Sequence, residues 1–501
     1  MSKLKTYKFS KLYEMSSGIS SKPEQAGHGS PFVSFKIVFN NFFLPEILNE
    51  YMAVSENDKI TYSIKKGDIF LTRTSESLDE LAMSCVADKD YPGATYSGFL
   101  KRLRPIQNDI TYDRFMAFYL RSELFRKTIT NNAIMTLRAS FNEQIFSYLN
   151  LILPNYIEQK KSGDFLYFMN QKVNINNRIN AELEAMAKTL YDYWFVQFDF
   201  PNSLPKEGWQ NSKNFDGVVG YKSSGGKMVF NEILKREIPE GWEVKTIGDY
   251  CKSTGGFAFK SSWWTDNGMP VVKIKDIQED YTINLNDLAF VDISDKNIDD
   301  KFKAKPGDVL IAMTGATVGK YAIVPHTEKP LYINQRVGYF NLGIKPEKKL
   351  PFLINSLNQK YFRESVFTLA TGAAQPNISN EQINNIHLLL PSKEIIELYN
   401  KIFEPYYSKI LLNQKQNQEL SALRDWLLPM LMNGQVKVGE AEEQVLGMVA
   451  KSDASYNRSS QKNDDELFEV WLKEEKLAAR GDIDRATLRE LFDAMDDEDK
   501  Y

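Results

Sequence analysis

The sequence predicts an α+β protein with two similar mixed α/β modules, each followed by one long helix. Three observations support this prediction: motifs recur about 240 residues apart, short alternating apolar stretches punctuated by turn residues fill each copy, and an apolar stripe at helical spacing follows each copy. Apolar residues make up 43% and charged residues 26% of the 501 positions, which is typical of folded globular proteins.

The modules are related by an internal repeat. Four motifs of the first half return in the same order in the second half, at offsets of 239, 240, 238 and 237 residues. They are GSPFVSFK at 29–36 and GMPVVKIK at 268–275, KGDI at 66–69 and PGDV at 306–309, NEQI at 142–145 and at 380–383, and LP at 153–154 and 390–391. The shared order and spacing indicate a duplication.

Each copy ends in a predicted long helix. The first stripe has apolar residues at spacings of three and four, and its equivalents 237 positions later are apolar at five of six sites, with Gln416 as the exception. The two stripes are Ile175, Ile179, Leu183, Met186, Leu190 and Tyr193, and Leu412, Gln416, Leu420, Leu423, Leu427 and Met430. Pro405 predicts a break in the second helix. Between the helices, polar and glycine-bearing residues predict a linker, and the aromatic run 191–200 is expected to pack at the end of the first helix.

The charge is unevenly distributed along the chain. The tail after Val438 has 18 acidic and 9 basic residues, a net of −9, and the first 438 residues carry 62−9=53 basic against 66−18=48 acidic residues, a net of +5. A mildly basic body permits a polyanionic partner.

No familiar catalytic motif was found in the sequence. Residues 315–321 (GATVGKY) differ from a phosphate-binding loop, because three residues separate the glycines and Tyr321 replaces the magnesium-binding hydroxyl, so a turn after a strand is predicted. Neither the two cysteines nor the three histidines have metal-site spacing. No apolar run is long enough to span a membrane, and the start lacks a signal peptide, so a cytoplasmic protein without membrane contact is expected.

Several motifs together resemble the specificity (S) subunits of type I restriction-modification systems. They are IPEGWEVK at 238–245, GDVLI at 307–311 with TGATVG at 314–319, GAAQPNI at 372–378, and the helix ends Trp194-Phe195 and LLPMLMNG at 427–434. The resemblance covers roughly residues 1–438. The first module departs from the pattern, since it lacks the Pro-Glu-Gly-Trp lead and has TRTSES at 72–77.

The resemblance implies a DNA-binding, non-catalytic chain with two target recognition domains and two long antiparallel helices in a coiled coil, related by a pseudo-twofold repeat. The boundaries predicted are 1–158 and 238–393 for the recognition domains, 159–200 and 394–438 for the helices, 201–237 for the linker, and 439–501 for an acidic, partly helical tail. The implied partners are double-stranded DNA, two modification (M) subunits and restriction (R) subunits. This chain would bind no cofactor itself. The M subunits would bind S-adenosylmethionine, and the R subunits would bind ATP and magnesium.

The candidate DNA contacts are side chains that form directional hydrogen bonds or bind phosphate. They are Lys36, Arg73, Tyr96, Lys101, Arg102 and Arg138 in the first module, and Lys260, Lys273, Lys275, Thr314, Gln335, Arg336 and Gln375 in the second. Two alternatives to a DNA-reading subunit stay open at this point: a scaffold that binds only protein through its helices, and a fused restriction or methylation enzyme with an unrecognised catalytic motif.

Overall fold

The computed structural model describes residues 4–20, 22–75, 80–107, 109–132, 139–201, 220–278, 281–296, 298–372 and 375–432. The chain divides into two compact units, one of Met1–Gln171 with Glu419–Tyr501 and one of Lys172–Gln418. The predicted tail 439–501 lies outside the described residues. Among the helices that are described, none is long and apolar enough to cross a membrane.

The first module alternates short strands with short helices before the first long helix. Its elements are β1 (Lys5–Lys8), α1 (Phe9–Leu12), β2 (Tyr13–Ser17), β3 (Ala26–Val33), α2 (Phe35–Asn40), β4 (Tyr51–Met52), α3 (Glu56–Thr61), β5 (Ile69–Thr72), β6 (Thr74–Ser75), β7 (Ser84–Val86), β8 (Thr95–Tyr96), β9 (Leu100–Pro105), α4 (Asp113–Tyr119), α5 (Glu123–Asn132), β10 (Ala139–Ser140), α6 (Glu143–Tyr148), β11 (Asn150–Leu153) and α7 (Tyr156–Tyr191).

The second module follows the same plan after an additional hairpin. Its elements are β12 (Met228–Asn231), β13 (Arg236–Pro239), β14 (Glu243–Thr246), α8 (Ile247–Tyr250), β15 (Ser253–Gly255), β16 (Trp264–Thr265), β17 (Met269–Val272), β18 (Ala289–Val291), β19 (Lys303–Ala304), β20 (Val309–Ala312), β21 (Tyr321–Ile323), β22 (Leu331–Ile333), β23 (Val337–Phe340), α9 (Leu350–Leu357), α10 (Lys360–Leu369), α11 (Asn380–Asn384), β24 (His387–Leu390) and α12 (Lys393–Met432).

Matching sheet topologies confirm the predicted duplication. The first strand pairs antiparallel with the last in each module, β1 with β11 and β14 with β24. A four-stranded sheet has the order β2-β9-β5-β7 in one module and β15-β23-β20-β21 in the other. In both modules a parallel pair, β3 with β8 or β17 with β22, forms part of a second sheet. The interior of each sheet is apolar, because β5 and β20 are buried on both faces.

The repeated Gly-Asp motif forms the same turn before β5 and β20. Gly67 and Gly307 have φ angles of +84° and +87°, a left-handed conformation that glycine adopts without a Cβ clash. The next residue, Asp68 or Asp308, is fully buried and accepts a backbone N–H from three residues earlier in the chain, at 2.8 and 2.9 Å. The turn thus places a carboxylate inside each module.

The two modules compensate this buried carboxylate differently. Arg104 donates from Nε to Oδ1 of Asp68 at 2.7 Å and from Nη2 to Oδ2 at 2.6 Å, and this pairing raises the pKa of Arg104. Asp308 instead accepts the Tyr339 hydroxyl at 2.7 Å and the Leu342 N–H at 3.1 Å. Burial raises the pKa of Asp308 above its usual value.

The long helices pack antiparallel within Lys172–Gln418, as predicted. Contacts join Asn176 to Asn417 and Asn180 to Asn413, and the Tyr399 hydroxyl donates to the Ala187 carbonyl at 2.8 Å. Residues further along α7 therefore contact residues nearer the start of α12.

Two predictions about these segments need correction. α12 continues through Pro405, so the break expected there is wrong: only one N–H is missing from a helix that is packed against a large apolar core. The predicted linker 201–237 contains β12 and the start of β13, which pair antiparallel from Met228–Pro239 to Asn231–Arg236. Residues 202–219 of that linker lie outside the described residues.

The aromatic run after α7 packs into the core of the second unit, as expected. Trp194, Phe195, Phe198 and Phe200 are buried there, and the ring centroids of Phe200 and Trp242 lie 4.9 Å apart. The burial of these large side chains anchors the end of α7.

Replacing Arg104 with Met should destabilise the first module by about 3 kcal/mol, because the buried Asp68 carboxylate would lose its charged partner. Chemical denaturation of the full chain, followed by hydrogen exchange in β5 and β9, measures this loss. The control is Lys127→Met, which breaks an exposed ion pair with Glu123 and should leave the denaturation midpoint nearly unchanged. Equal effects of the two variants would contradict the assignment.

Candidate nucleic-acid interface

In the second module, segments that follow three strands meet at one edge. The Phe257 N–H donates to the Ile333 carbonyl at 2.8 Å, and the Gln335 N–H donates back to the Phe257 carbonyl at 3.0 Å. The Asn334 N–H donates to the Val272 carbonyl at 3.1 Å. The chain after β15, after β17 and after β22 is therefore held together by backbone bonds.

Two further segments join the same edge. The Met313 N–H donates to the Arg336 carbonyl at 3.1 Å, which adds the chain after β20. The Gly315 N–H donates to the Pro376 carbonyl at 2.8 Å, and the Ile378 N–H donates to the Met313 carbonyl at 3.0 Å. We call the five joined segments, 256–260, 273–275, 313–319, 334–336 and the described parts of 371–378, the loop edge of the second module.

Glycine is required where these segments touch. A Cβ at Gly256 would lie 2.4 Å from the carbonyl oxygens of Ile333 and Asn334, closer than any side chain tolerates. At Gly372, φ is +113° and a Cβ would lie 2.5 Å from the Gln375 carbonyl oxygen. These glycines therefore allow the backbone contacts that assemble the loop edge.

The loop edge brings together all seven residues predicted in the second module. Five of them are exposed and two are partly exposed; the exposed residues are Lys260, Lys275, Gln335, Arg336 and Gln375, and the others are Lys273 and Thr314. Residues 315–317 form a single 3₁₀ turn after β20, as predicted in place of a phosphate-binding loop. The edge is rich in cationic and amide groups, which suit phosphate and base edges respectively.

An aromatic cluster beside the loop edge positions several lysines. The Lys273 ammonium lies 3.6 Å from the centroid of the Trp264 ring, and those of Lys260 and Lys296 lie 5.7 and 5.8 Å from the centroid of Trp263. A cation held over a ring face keeps its charge while its side chain is restrained. Trp263, Trp264 and Lys296 were not predicted, although the aromatic and lysine residues at 257–264 (FAFKSSWW) indicate such a cluster around the two tryptophans.

Lys275 is engaged by a neighbouring carboxylate. Its ammonium lies 2.5 Å from Asp287, and this hydrogen bond raises the pKa of Lys275. Lys275 would have to exchange that partner to contact a phosphate, whereas Gln335 and Arg336 extend from a turn into solvent.

The first module has an equivalent loop edge. The Arg73 N–H donates to the Phe99 carbonyl at 2.8 Å, as Met313 does to Arg336, and the Phe141 N–H donates to the Arg73 carbonyl at 2.8 Å. The Ser97 N–H donates to the Val33 carbonyl at 3.0 Å, which matches the bond from the chain after β22 to the end of β17. Backbone geometry is thus retained while the side chains differ: Phe99, 63% exposed, occupies the position of Arg336.

Lys36 and Arg73 are exposed beside this first loop edge. Lys36 lies on α2, at the position equivalent to Lys275, and Arg73 follows β5. Arg138, which was also predicted, lies outside the described residues.

The other three predicted residues of the first module are buried. Tyr96 is fully buried and its hydroxyl is 2.9 Å from the Ser16 hydroxyl, while Arg102 donates to the Ser63 carbonyl at 2.7 Å. Lys101 donates to the Ser17 hydroxyl at 2.8 Å, and burial lowers its pKa. These side chains stabilise the sheet interior in this structure, which does not favour a direct DNA contact.

Among the described residues, no group of three or more His, Cys, Asp or Glu side chains is arranged to hold a metal ion. Burial raises the pKa of the Cys251 thiol to about 12, so this cysteine is uncharged at neutral pH.

Comparisons with known proteins match both modules. Residues 5–185 and 239–422 fit the family model described as the type I restriction modification DNA specificity domain. The chain is 26% identical over 450 residues to the type I restriction enzyme HindI specificity subunit of Haemophilus influenzae, covering 81% of this chain and 94% of that protein. It is 26% identical over 296 residues to the MjaIX specificity subunit of Methanocaldococcus jannaschii, covering 57% and 60% respectively. A solved S subunit from M. genitalium has 14% identity and a TM-score of 0.48, over 86% of this chain and 96% of that one.

Replacing Gly256 with Ala should open the loop edge of the second module, because the added Cβ would force the chain after β15 away from the chain after β22. Hydrogen exchange at the amides of Phe257 and Gln335 should accelerate at least tenfold. Ala258→Val, at an exposed position two residues away, is the control and should leave both rates unchanged. Unchanged exchange in Gly256→Ala would show that the close approach is not required.

Proposed function

The chain belongs to the type I restriction-modification DNA specificity family, and we propose that each of its two modules reads one half of a two-part duplex DNA target. Family membership establishes DNA sequence recognition as the general role. The observation that carries the finer proposal is the repeated loop edge, since two copies of one backbone arrangement present different side chains. Two similar readers with different contacts would recognise two different half-sites.

The exposed groups of the second loop edge have the chemistry that base readout requires. Arginine can bind the O6 and N7 acceptors of guanine in the major groove, and glutamine can bind adenine at N6 and N7. Arg336 and Gln335 are adjacent and exposed, and Gln375 lies on a neighbouring segment that is bonded to the same edge. Lys260, Lys273 and Lys296 would hold phosphates and set the position of the module on the duplex.

The long helices would separate the half-sites. α7 contains 36 residues, which corresponds to ~54 Å at ~1.5 Å per residue. That length exceeds the ~34 Å of one turn of B-form DNA, so half-sites one turn apart on the same face of the duplex can be reached. An unread spacer between the two half-sites follows from this arrangement.

Methylation and cleavage would belong to partner subunits. A duplicated chain offers two similar docking surfaces, which supports the binding of two modification (M) subunits. Those subunits would supply S-adenosylmethionine and the pocket that receives an extruded adenine. Restriction (R) subunits would supply the ATP- and magnesium-dependent steps. This chain would contribute sequence recognition and assembly.

The proposal is tested by sequencing methylated adenines in cells that carry the M subunit with and without this chain. A two-part motif should appear only when the chain is present. Exchanging residues 238–390 for the second module of a relative should change one half of the motif and leave the other half intact. Methylation without the chain, or a motif of one continuous block, would contradict the proposal.

Arg336→Ala should relax recognition at one base of a single half-site and weaken binding of the S–M complex to its target by about 1–3 kcal/mol, because the proposed contact of the guanidinium with a guanine would be lost. Competition binding with duplexes altered at each position measures both effects. Lys360→Ala is the control, since Lys360 is an exposed cation at the first residue of α10 and belongs to none of the five loop-edge segments. Its loss should leave the preferred base at every position unchanged. Identical base preferences in Arg336→Ala and the wild type would remove Arg336 from the readout.

A further inference from the structure

A layer of amide side chains interrupts the apolar contact between α7 and α12. Within Lys172–Gln418, Asn176 and Asn413 are fully buried, and Asn180 and Gln416 are 8% and 7% exposed. Gln416 is the residue that departs from the apolar stripe in the repeat. The structure explains the departure, because the Asn176 amide nitrogen lies 3.4 Å from the Gln416 Oε1. We call Asn176, Asn180, Asn413 and Asn417 the asparagine layer.

The asparagine layer is symmetric about a local two-fold axis of the helix pair. Asn176 donates to Asn417 at 2.9 Å, and Asn413 donates to Asn180 at 2.8 Å. The repeat offset relates Asn176 to Asn413 (413−176=237) and Asn180 to Asn417 (417−180=237). Each bond is therefore the repeat equivalent of the other, and both are made in one register of the helices.

Stability does not account for this layer. The side-chain carbonyl oxygens of Asn176 and Asn413 are buried without a hydrogen-bond partner among the described residues. Burying an unsatisfied oxygen costs free energy, whereas leucine at these positions would bury apolar surface without that cost. Beside the layer on α12, Ile410 and Leu412 are buried apolar residues. A polar layer retained at a cost in stability is the arrangement that specifies register in paired helices.

We propose that the asparagine layer fixes the register of α7 against α12 and thereby sets the length of the spacer in the DNA target; this inference rests on the proposed function. Apolar stripes alone allow antiparallel helices to slip by a turn, ~5.4 Å. The two asparagines on each helix are one turn apart, so a slip of one turn preserves at most one of the two Asn–Asn pairs. Only the observed register satisfies both.

A slip would change the DNA that can be read. α7 follows the first module in the chain and α12 follows the second. Under the proposed function, the register of the helix pair would set the separation of the two half-sites. A slip of ~5.4 Å corresponds to one or two base pairs at ~3.4 Å each. Locking the register therefore selects one spacer length over its neighbours.

The test replaces the whole layer with leucine in the full chain: Asn176→Leu, Asn180→Leu, Asn413→Leu and Asn417→Leu. Methylated adenines are then mapped in cells that also carry the M subunit. We expect the wild type to give one spacer length, and the variant to give at least two lengths that differ by one or two base pairs, with both half-sites unchanged. The control is Asn174→Leu with Lys409→Leu, two exposed residues on the same helices, which should keep a single spacer.

A second measurement reads the register without DNA. Spin labels on cysteines at positions 174 and 409 should report one distance in the wild type and a distribution broadened by ~5 Å in the leucine variant. One distance and one spacer in a folded variant would overturn the inference, and so would failure of the variant to fold, because the layer would then serve stability. A wild type that directs no two-part methylation would refute the proposed function, while the spin-label distances would still decide the register.

Discussion

Each module depends on the antiparallel pairing of its first strand with its last. β1 pairs with β11 from Lys5–Leu153 to Lys8–Asn150, and β14 pairs with β24 from Glu243–Leu390 to Thr246–His387. This pairing brings together two strands that are far apart in the sequence. A proline follows the last strand of each module and ends it, because proline lacks the N–H that strand pairing needs. The long helix begins two residues later, with Asn155 accepting the Glu158 N–H at 3.0 Å in the first module. Strand closure thus fixes where each long helix leaves its own module.

Closure at one edge of the module leaves the other strand ends available for variable loops. In both modules these loops are joined by equivalent backbone bonds, such as Arg73 to Phe99 and Met313 to Arg336, so side chains can differ without loss of the scaffold. The buried carboxylates of Asp68 and Asp308 likewise combine an equivalent backbone turn with different side-chain partners. The Gly-Asp turn is kept, but the Asp68 carboxylate is paired with an arginine, whereas the Asp308 carboxylate accepts hydrogen bonds from a tyrosine hydroxyl and backbone N–H groups. In both places the repeat keeps a common backbone framework and changes the side chains that it carries.

The sequence predicted the parts of the fold that are encoded by periodicity. The repeat, the two long helices and the burial of the aromatic run at 191–200 were all predicted, because spacing and apolar content are visible in the chain itself. The hairpin from Met228 to Pro239 was missed, since its two short strands directly follow a polar, glycine-bearing stretch that is typical of a linker. The break at Pro405 was wrong because tertiary packing outweighs the loss of one hydrogen bond.

The exposure of the candidate residues was less predictable in the first module than in the second. The side-chain chemistry of Tyr96 and Arg102 predicted DNA contacts, but their environment is set by residues distant in sequence: Tyr96 is hydrogen-bonded to Ser16 and Arg102 to Ser63. A buried arginine and an exposed one look alike in a single sequence.

The helix pair gives a second example. The sequence marks Gln416 as an exception in the apolar stripe, but the reason is its contact with Asn176, 240 residues earlier in the chain. Aromatic packing of Tyr191, Phe195 and Tyr399 stabilises one end of the pair. Paired amides form their hydrogen bonds in one register, so the asparagine layer adds register specificity to the stability that the aromatic packing supplies.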